Sequence, residues 1–155
     1  MSGKAVAKRI SKTFGTNDPE TIAQREGLEV MAIPLPQRWW DILLWNFVAI
    51  RNDISLPWRR WCLAHCLGHH FMHHGNQLRL AERADLICAR RLQEAQAESF
   101  AAWLLIPEEE LKELKHAEGE SLNTWGIAEH FNVPHEMIPF RLGLDNNPYL
   151  KSIGW

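Results

Sequence analysis

The stretch Trp61-Cys62-Leu63-Ala64-His65-Cys66-Leu67-Gly68-His69-His70 decides the fold of this 155-residue chain. The spacing of apolar residues predicts a helix over Pro57–His74 that ends at Gly75. At about 100° per residue, one narrow face of this helix collects side chains that can bind metal, namely Cys62, His65, Cys66, His69 and His73. Gly68 lies among the apolar positions, where it would let a neighbouring helix approach closely.

His65 and His69 are one helical turn apart, so both imidazoles can reach one metal ion. The simpler interpretation is that these histidines lie at the surface or are satisfied in the core, and that His70, His73 and His74 cover a solvated edge. Two imidazoles seldom hold zinc firmly by themselves, so a metal site needs a third ligand.

A second helix, predicted over Gln93–Ile106 and stopped by Pro107, offers that ligand. Glu94 and Glu98 are one turn apart and share a face of this helix. A carboxylate that faces the core is costly unless it is paired or bound to metal. The alternative is that both carboxylates face solvent.

The other predicted elements are short, and the chain has no internal repeat. Asp18-Pro19 begins a helix that ends at Gly27, and Leu28–Ile33 alternates like a strand. One or two strands are predicted in Trp39–Arg51. Further along we predict a helix over Leu80–Arg91 after a polar loop at 76–79, a helix from Pro107 to Gly119, and two short helices over Thr124–Phe131 and His135–Leu142.

The predicted organisation has four parts. Residues 1–17 are a flexible lead-in, residues 18–115 form the main domain, residues 116–145 form a helix-turn-helix-like element packed on it, and residues 146–155 are a loose tail.

Composition indicates a globular protein with 46% apolar residues, 23% charged residues and a formal net charge of −2. No basic excess is present that would attract the whole molecule to nucleic acid or an anionic membrane. Three cysteines cannot build a disulfide framework, which favours the cytoplasm. The N-terminus lacks the apolar segment of a secretory signal, and the nearly apolar stretch 42–50 is too short to span a bilayer.

Two segments together resemble the ImmA/IrrE zinc metallopeptidases. The histidine helix is similar to the active-site helix of that family, and 94–107 is similar to its third-ligand helix, written E-x-x-A-N/D/E-x-F-A-x-x-L-L-x-P. The order of the preceding helix and strand and the segment 127–143 are also similar, so the resemblance covers roughly residues 18–143.

The resemblance implies an α+β fold: a minimal, gluzincin-like zincin domain in which a small antiparallel sheet packs on the metal-binding helices, followed by a C-terminal helical pair. It implies that His65, His69 and Glu94 bind zinc and that Glu98 orients a ligand imidazole from outside. Members of the family cleave helix-turn-helix repressors, often in mobile elements or stress responses. The implied partner is therefore a repressor protein, and neither a membrane nor direct nucleic-acid contact is expected.

Cys66 departs from the family pattern, which has the general-base Glu of HExxH at this position. A thiol is shorter and, with an unperturbed pKa of about 8.5, mostly protonated at neutral pH. We therefore expect impaired proteolysis, and the alternative is a metal-binding pseudo-peptidase that only binds a repressor. Other possibilities are hydrolysis with His70 or His73 as substitute base, a structural site with Cys66 as a ligand, and a cysteine-nucleophile enzyme.

Two further features allow more than one interpretation. Trp39, Trp40, Trp45 and Phe47 either line a peptide cleft beside the metal or, more simply, fill the core. The segment 127–142 has the outline of a helix-turn-helix, which makes a DNA-binding regulator the competing class. Its second helix carries one Arg, one Glu and Pro139, which is a poor composition for reading DNA. Cys62 and Cys88 are expected to be small core residues.

Overall fold

The computed structural model describes the backbone of residues 1–73 and 84–144 and the side chains of residues 1–73 and 91–144. The fold is α+β, as the sequence predicts. Its elements in chain order are α1 (Gly3–Phe14), α2 (Pro19–Arg25), β1 (Glu29–Ile33), β2 (Asp41–Leu44), β3 (Phe47–Arg51), α3 (Leu56–Met72), α4 (Ala84–Leu105), α5 (Glu108–Glu118), α6 (Thr124–Phe131) and α7 (Ile138–Arg141).

The sheet has the order β1-β3-β2 and is mixed, although an antiparallel sheet was predicted. β2 and β3 form an antiparallel hairpin, with Leu43 opposite Val48. β1 lies on the other side of β3 and pairs with it in parallel, because the chain reverses direction between β1 and β2 and again between β2 and β3. The side chains of Val48 and Ile50 are buried beneath the sheet.

α3 and α4 pack against each other and form the centre of the core. A Cβ atom placed on Gly68 would lie 2.8 Å from the Cα atom and 2.9 Å from the carbonyl oxygen of Ala97. The predicted role of Gly68 in close helix packing is thereby confirmed. Because these contacts are with backbone atoms, no side-chain rotation can relieve them.

Replacing Gly68 with alanine should therefore destabilise the protein, despite the better helix propensity of alanine. We expect a net loss of about 1–3 kcal/mol in the free energy of unfolding, as for other overpacked cores. Urea denaturation of the two proteins measures the difference. Gly126→Ala is the matched control, because its Cβ would meet side-chain atoms and no backbone, namely Cδ1 of Leu122 at 3.3 Å and Oδ1 of Asn123 at 3.8 Å. Equal stability of Gly68→Ala and the natural chain would contradict the packing argument.

Residues 1–17 differ from the predicted lead-in, since most of them form α1. The residues Val6, Ala7 and Ile10 are buried, and a Cβ on Gly3 would lie 2.5 Å from the backbone nitrogen of Phe100 on α4. These apolar residues form a narrow stripe between basic residues. For this reason the sequence of the segment looks polar throughout. α1 thus adds a helix to the core beside α4.

α4 also differs from the prediction, because residues 84–105 form one continuous helix where two had been expected. α3 ends at Met72, two residues earlier than predicted. His74, Gly75, the loop at 76–79 and the tail at 146–155 lie outside the described residues, as does the side chain of Cys88. The predicted boundary near residue 115 stays a prediction.

The C-terminal elements pack on the end of α4. The predicted helix over 135–142 is a 3₁₀ turn, His135–Met137, followed by α7. Arg141 on α7 is buried, and its Nε donates a hydrogen bond of 3.0 Å to the carbonyl oxygen of Ile106. No helix in the described part of the chain is both long and apolar enough to cross a membrane.

Candidate metal centre

α3 and α4 bring His65, His69 and Glu94 together in one cluster. The Nε2 atom of His65 lies 3.1 Å from Oε2 of Glu94, and the Nε2 atom of His69 lies 3.4 Å from Oε1 of the same carboxylate. The two Nε2 atoms are 3.2 Å apart. All three ligand atoms lie within 4.8 Å of one another, which is compatible with one shared cation.

Local sequence explains this arrangement. His65 and His69 are one turn apart on α3, so their rings project from the same face. Gly68 lies between them along the chain and lets the backbone of α4 approach at Ala97, one turn beyond Glu94. The close helix contact therefore brings the Glu94 carboxylate within reach of both imidazoles.

Asp41 on β2 holds the other side of the His65 ring. Both of its carboxylate oxygens lie 3.3 Å from Nδ1 of His65. A carboxylate in this place accepts the Nδ1–H hydrogen bond and favours the tautomer in which Nε2 can bind a metal. The sequence analysis missed Asp41. The available signal was that Asp41 is the only acidic residue between Glu29 and Asp53, in an otherwise apolar and aromatic stretch.

The electrostatics of the cluster favour positive charge at its centre. Burial lowers the pKa of His65, but the carboxylates of Asp41 and Glu98 act in the opposite direction and raise it well above its ordinary value. Burial raises the pKa of Glu94, and hydrogen bonds from His65 and His69 outweigh it, so the pKa of Glu94 is lowered. Two imidazole nitrogens and a carboxylate that share one positive charge form a donor set suited to zinc.

Glu98 is fully buried one turn after Glu94. Its Oε2 accepts a hydrogen bond of 2.7 Å from the indole Nε1 of Trp61, and its Oε1 lies 3.9 Å from Nε2 of His65. Burial, the largest influence, raises its pKa to about 7. Glu98 thus faces His65 through space, whereas the Nδ1 hydrogen bond of that ring goes to Asp41.

The side chain of Cys66 lies beside Asp41 on β2. Its Sγ donates a weak hydrogen bond of 3.5 Å to Oδ1 of Asp41, and its side chain is buried. Burial and the neighbouring Asp41 carboxylate raise the pKa of the thiol well above its ordinary value. Cys66 is not one of the three residues whose ligand atoms converge within 4.8 Å. This position favours a neutral thiol over a metal ligand.

The other histidines of α3 have separate partners. His70 lies 2.9 Å from the carboxylate of Glu26 on the side of α2. His73 contacts His69 and Gln96, with ring-nitrogen distances of 3.1 and 2.9 Å. Among the described side chains, both histidines that were considered as substitute bases are therefore already paired.

The aromatic residues of the hairpin are mostly outside the core. Trp45 is 76% exposed, Phe47 is 42% exposed and Trp39 is 38% exposed, so the prediction that they fill the core is wrong for these three. Trp40 does pack inward, with its ring centroid 4.8 Å from that of Trp58. The exposure of these three side chains agrees with the other interpretation, in which they line a peptide cleft beside the metal.

Comparison with known families agrees with the geometry. The family model Peptidase_M78, described as the IrrE N-terminal-like domain, matches residues 23–143. The matched range includes the sheet, both cluster helices and the C-terminal elements. A search of curated proteins finds no match to the chain.

Proposed function

Because the chain belongs to the IrrE N-terminal-like family of M78 peptidases, we propose that it is a zinc-binding, peptidase-like protein whose partner is a helix-turn-helix repressor and whose proteolytic activity is impaired. The observation that carries this proposal is the convergence of the ligand atoms of His65, His69 and Glu94. Its second support is Cys66, which follows His65 where the resemblance places the general base. The alternative is a protein that has lost its proteolytic activity completely and acts only by binding its repressor.

His65, His69 and Glu94 would hold the zinc through two nitrogens and one oxygen. When bound, zinc polarises a substrate carbonyl and lowers the pKa of a coordinated water. Asp41 keeps the His65 ring in the orientation in which Nε2 faces Glu94. These residues supply the binding half of a metallopeptidase site.

The second requirement of a metallopeptidase site, a group that transfers protons, is not met by Cys66. A general base in a peptidase must take a proton from the attacking water and deliver it to the leaving amine. Cys66 is a poor acceptor because its thiol is buried and its proton is directed at Asp41. His73 does not replace it, since both of its ring nitrogens are engaged, by His69 and Gln96, and His70 faces Glu26 at the end of α2.

The charge of the C-terminal part supports a protein partner over DNA. Between Pro107 and Leu144 the chain carries eight acidic and three basic residues. DNA binding depends on cations that neutralise phosphates, and this balance opposes it. The predicted helix-turn-helix-like outline is, in this proposal, a packing element or a docking surface.

The two buried free thiols, Cys62 and Cys66, support our placement of the protein in the reducing cytoplasm.

The proposal is tested with the zinc-loaded full chain and the helix-turn-helix repressors encoded near it in its genome. We expect one of them to form a complex by titration calorimetry and to stay largely intact over hours by mass spectrometry. Complete cleavage within minutes would contradict impaired proteolysis. Absence of any complex would contradict the choice of partner, and a salt-dependent shift of operator DNA by the chain alone would favour the DNA-binding class.

A further inference from the structure

We propose that His73 and Gln96 are positioning residues that select the tautomer in which His69 can bind a metal. This inference rests on the proposed metal site and adds to it the group that controls its second imidazole. The two residues lie on the side of His69 that faces away from Glu94, and the family resemblance gives them no role.

The three side chains form a continuous chain of contacts between α3 and α4. Nδ1 of His69 lies 3.1 Å from Nδ1 of His73, and Nε2 of His73 lies 2.9 Å from Oε1 of Gln96. His73 immediately follows the last residue of α3, and its backbone N–H still donates to the carbonyl oxygen of His69, at 2.9 Å. The ring of His73 is thus held in place from both ends.

The direction of the hydrogen bonds follows from Gln96. Its Oε1 can only accept, so Nε2 of His73 must carry the hydrogen. A neutral His73 with a hydrogen on Nε2 has a bare Nδ1, which can only accept from Nδ1–H of His69. A neutral His69 with its hydrogen on Nδ1 has a bare Nε2, and this is the atom that lies 3.4 Å from Glu94.

The opposite direction would disable the site. If the side-chain amide of Gln96 donated to His73, the Nδ1 atom of His73 would carry the hydrogen and donate it to His69. Nε2 of His69 would then carry a hydrogen directed at Glu94 and could not bind metal. His69 is only 5% exposed, so water offers its Nδ1 little alternative. With the carbonyl oxygen of Gln96 facing His73, as in the structure, His69 adopts the state in which its Nε2 can bind metal.

Asp41 does the same for His65 from the sheet side, at 3.3 Å from Nδ1. The two ligand imidazoles are thus oriented by different chemistry, one by a carboxylate and the other by a neutral histidine–glutamine pair. Outer partners of ligand histidines commonly contribute about 10- to 100-fold to metal affinity. We expect the same range for His73 and Gln96.

The test is the zinc dissociation constant of the full chain, measured by competition with a chromophoric chelator. Gln96→Leu and His73→Phe should each weaken zinc binding by about 10- to 100-fold, whereas Gln96→Glu keeps an acceptor oxygen and should retain it. His70→Ala is the matched control, since His70 is adjacent to His69 but contacts Glu26. Thermal melting without zinc shows whether each variant is folded.

The tautomer supplies a readout that a merely structural role would not change. In ¹⁵N-labelled, zinc-free protein, His69 should carry its hydrogen on Nδ1 and His73 on Nε2, and Gln96→Leu should change the tautomer of His69. Natural affinity in both folded variants, Gln96→Leu and His73→Phe, would overturn the inference and leave the metal site intact. Failure of the natural chain to bind zinc would overturn the proposed function and this inference together.

Discussion

Zinc is expected to raise the thermal midpoint of the natural chain by about 10 °C, and Glu94→Gln is expected to abolish the increase. A ligand present at about 1,000 times its dissociation constant stabilises the folded state by about 4 kcal/mol. In a protein of this size each kcal/mol shifts the midpoint by about 2–4 °C. The effect is large because the three ligand groups converge only in the folded chain.

Glu94→Gln is a sharp test because it preserves the size of the side chain and removes its charge. Glu94 contacts both imidazoles, so the substitution affects the whole ligand set and not one ligand alone. Glu109→Gln is the matched control, since Glu109 is an exposed residue of α5 that pairs only with Lys112 among the described residues. The control should keep the full zinc response, with about one zinc per chain by elemental analysis, as for a single structural or catalytic site.

An equal zinc response in the natural chain and in Glu94→Gln would show that the metal binds elsewhere, for example at the other histidines of α3. No response in either protein would contradict the metal centre. Calorimetric scans at two zinc concentrations distinguish these outcomes, because a specific site gives a midpoint that rises with concentration.

The part of the site that could be predicted from the sequence lies within helices. The spacing of His65 and His69 places both rings on one face of α3, and Glu94 follows on the next long helix. Gly68 gave the reason why the two helices approach closely. Each of these inferences depends on residues a few positions apart, for which helical periodicity is a reliable guide.

The part that could not be predicted depends on contacts between distant elements. Asp41 reaches His65 because β2, like its neighbour β3, packs against α3. A one-residue change of register would turn Asp41 to the opposite face of the sheet. The contact of His73 with Gln96 depends in the same way on where α3 ends and how α4 is rotated.

In the proposed function Cys66 takes the place of a general-base glutamate, and its contact with Asp41 gives a physical reason for that exchange. A glutamate at position 66 would place a third carboxylate beside those of Asp41 and Glu94. Cysteine removes this charge, fills the buried space and donates its weak hydrogen bond to Asp41. In this proposal, cysteine at position 66 avoids an additional buried charge, but it leaves the site without a group that transfers protons.

Restoring the carboxylate should therefore restore hydrolysis. We expect Cys66→Glu to cleave the repressor partner about 10²–10⁴ times faster than the natural chain, which is the usual contribution of a positioned general base. Single-turnover cleavage of the preformed complex, followed by mass spectrometry, measures the chemical step separately from binding. Cys66→Gln is the matched control, because it has the same shape without a basic carboxylate and should stay as slow as the natural chain.

The carboxylate of Asp41 lies close to position 66 and can reduce the increase in cleavage rate expected for Cys66→Glu. Its Oδ1 lies 3.5 Å from the sulfur of Cys66, so a new carboxylate at this position would face repulsion at short range. Should Cys66→Glu fold poorly, the double variant Cys66→Glu/Asp41→Asn relieves the repulsion and keeps an oxygen that can accept from His65. Rates no higher than those of Cys66→Gln, in a folded variant that binds zinc and repressor, would show that the missing base is not what limits cleavage. The function of the chain would then be binding alone, because the ligand cluster, the partner and the base would all be in place without chemistry.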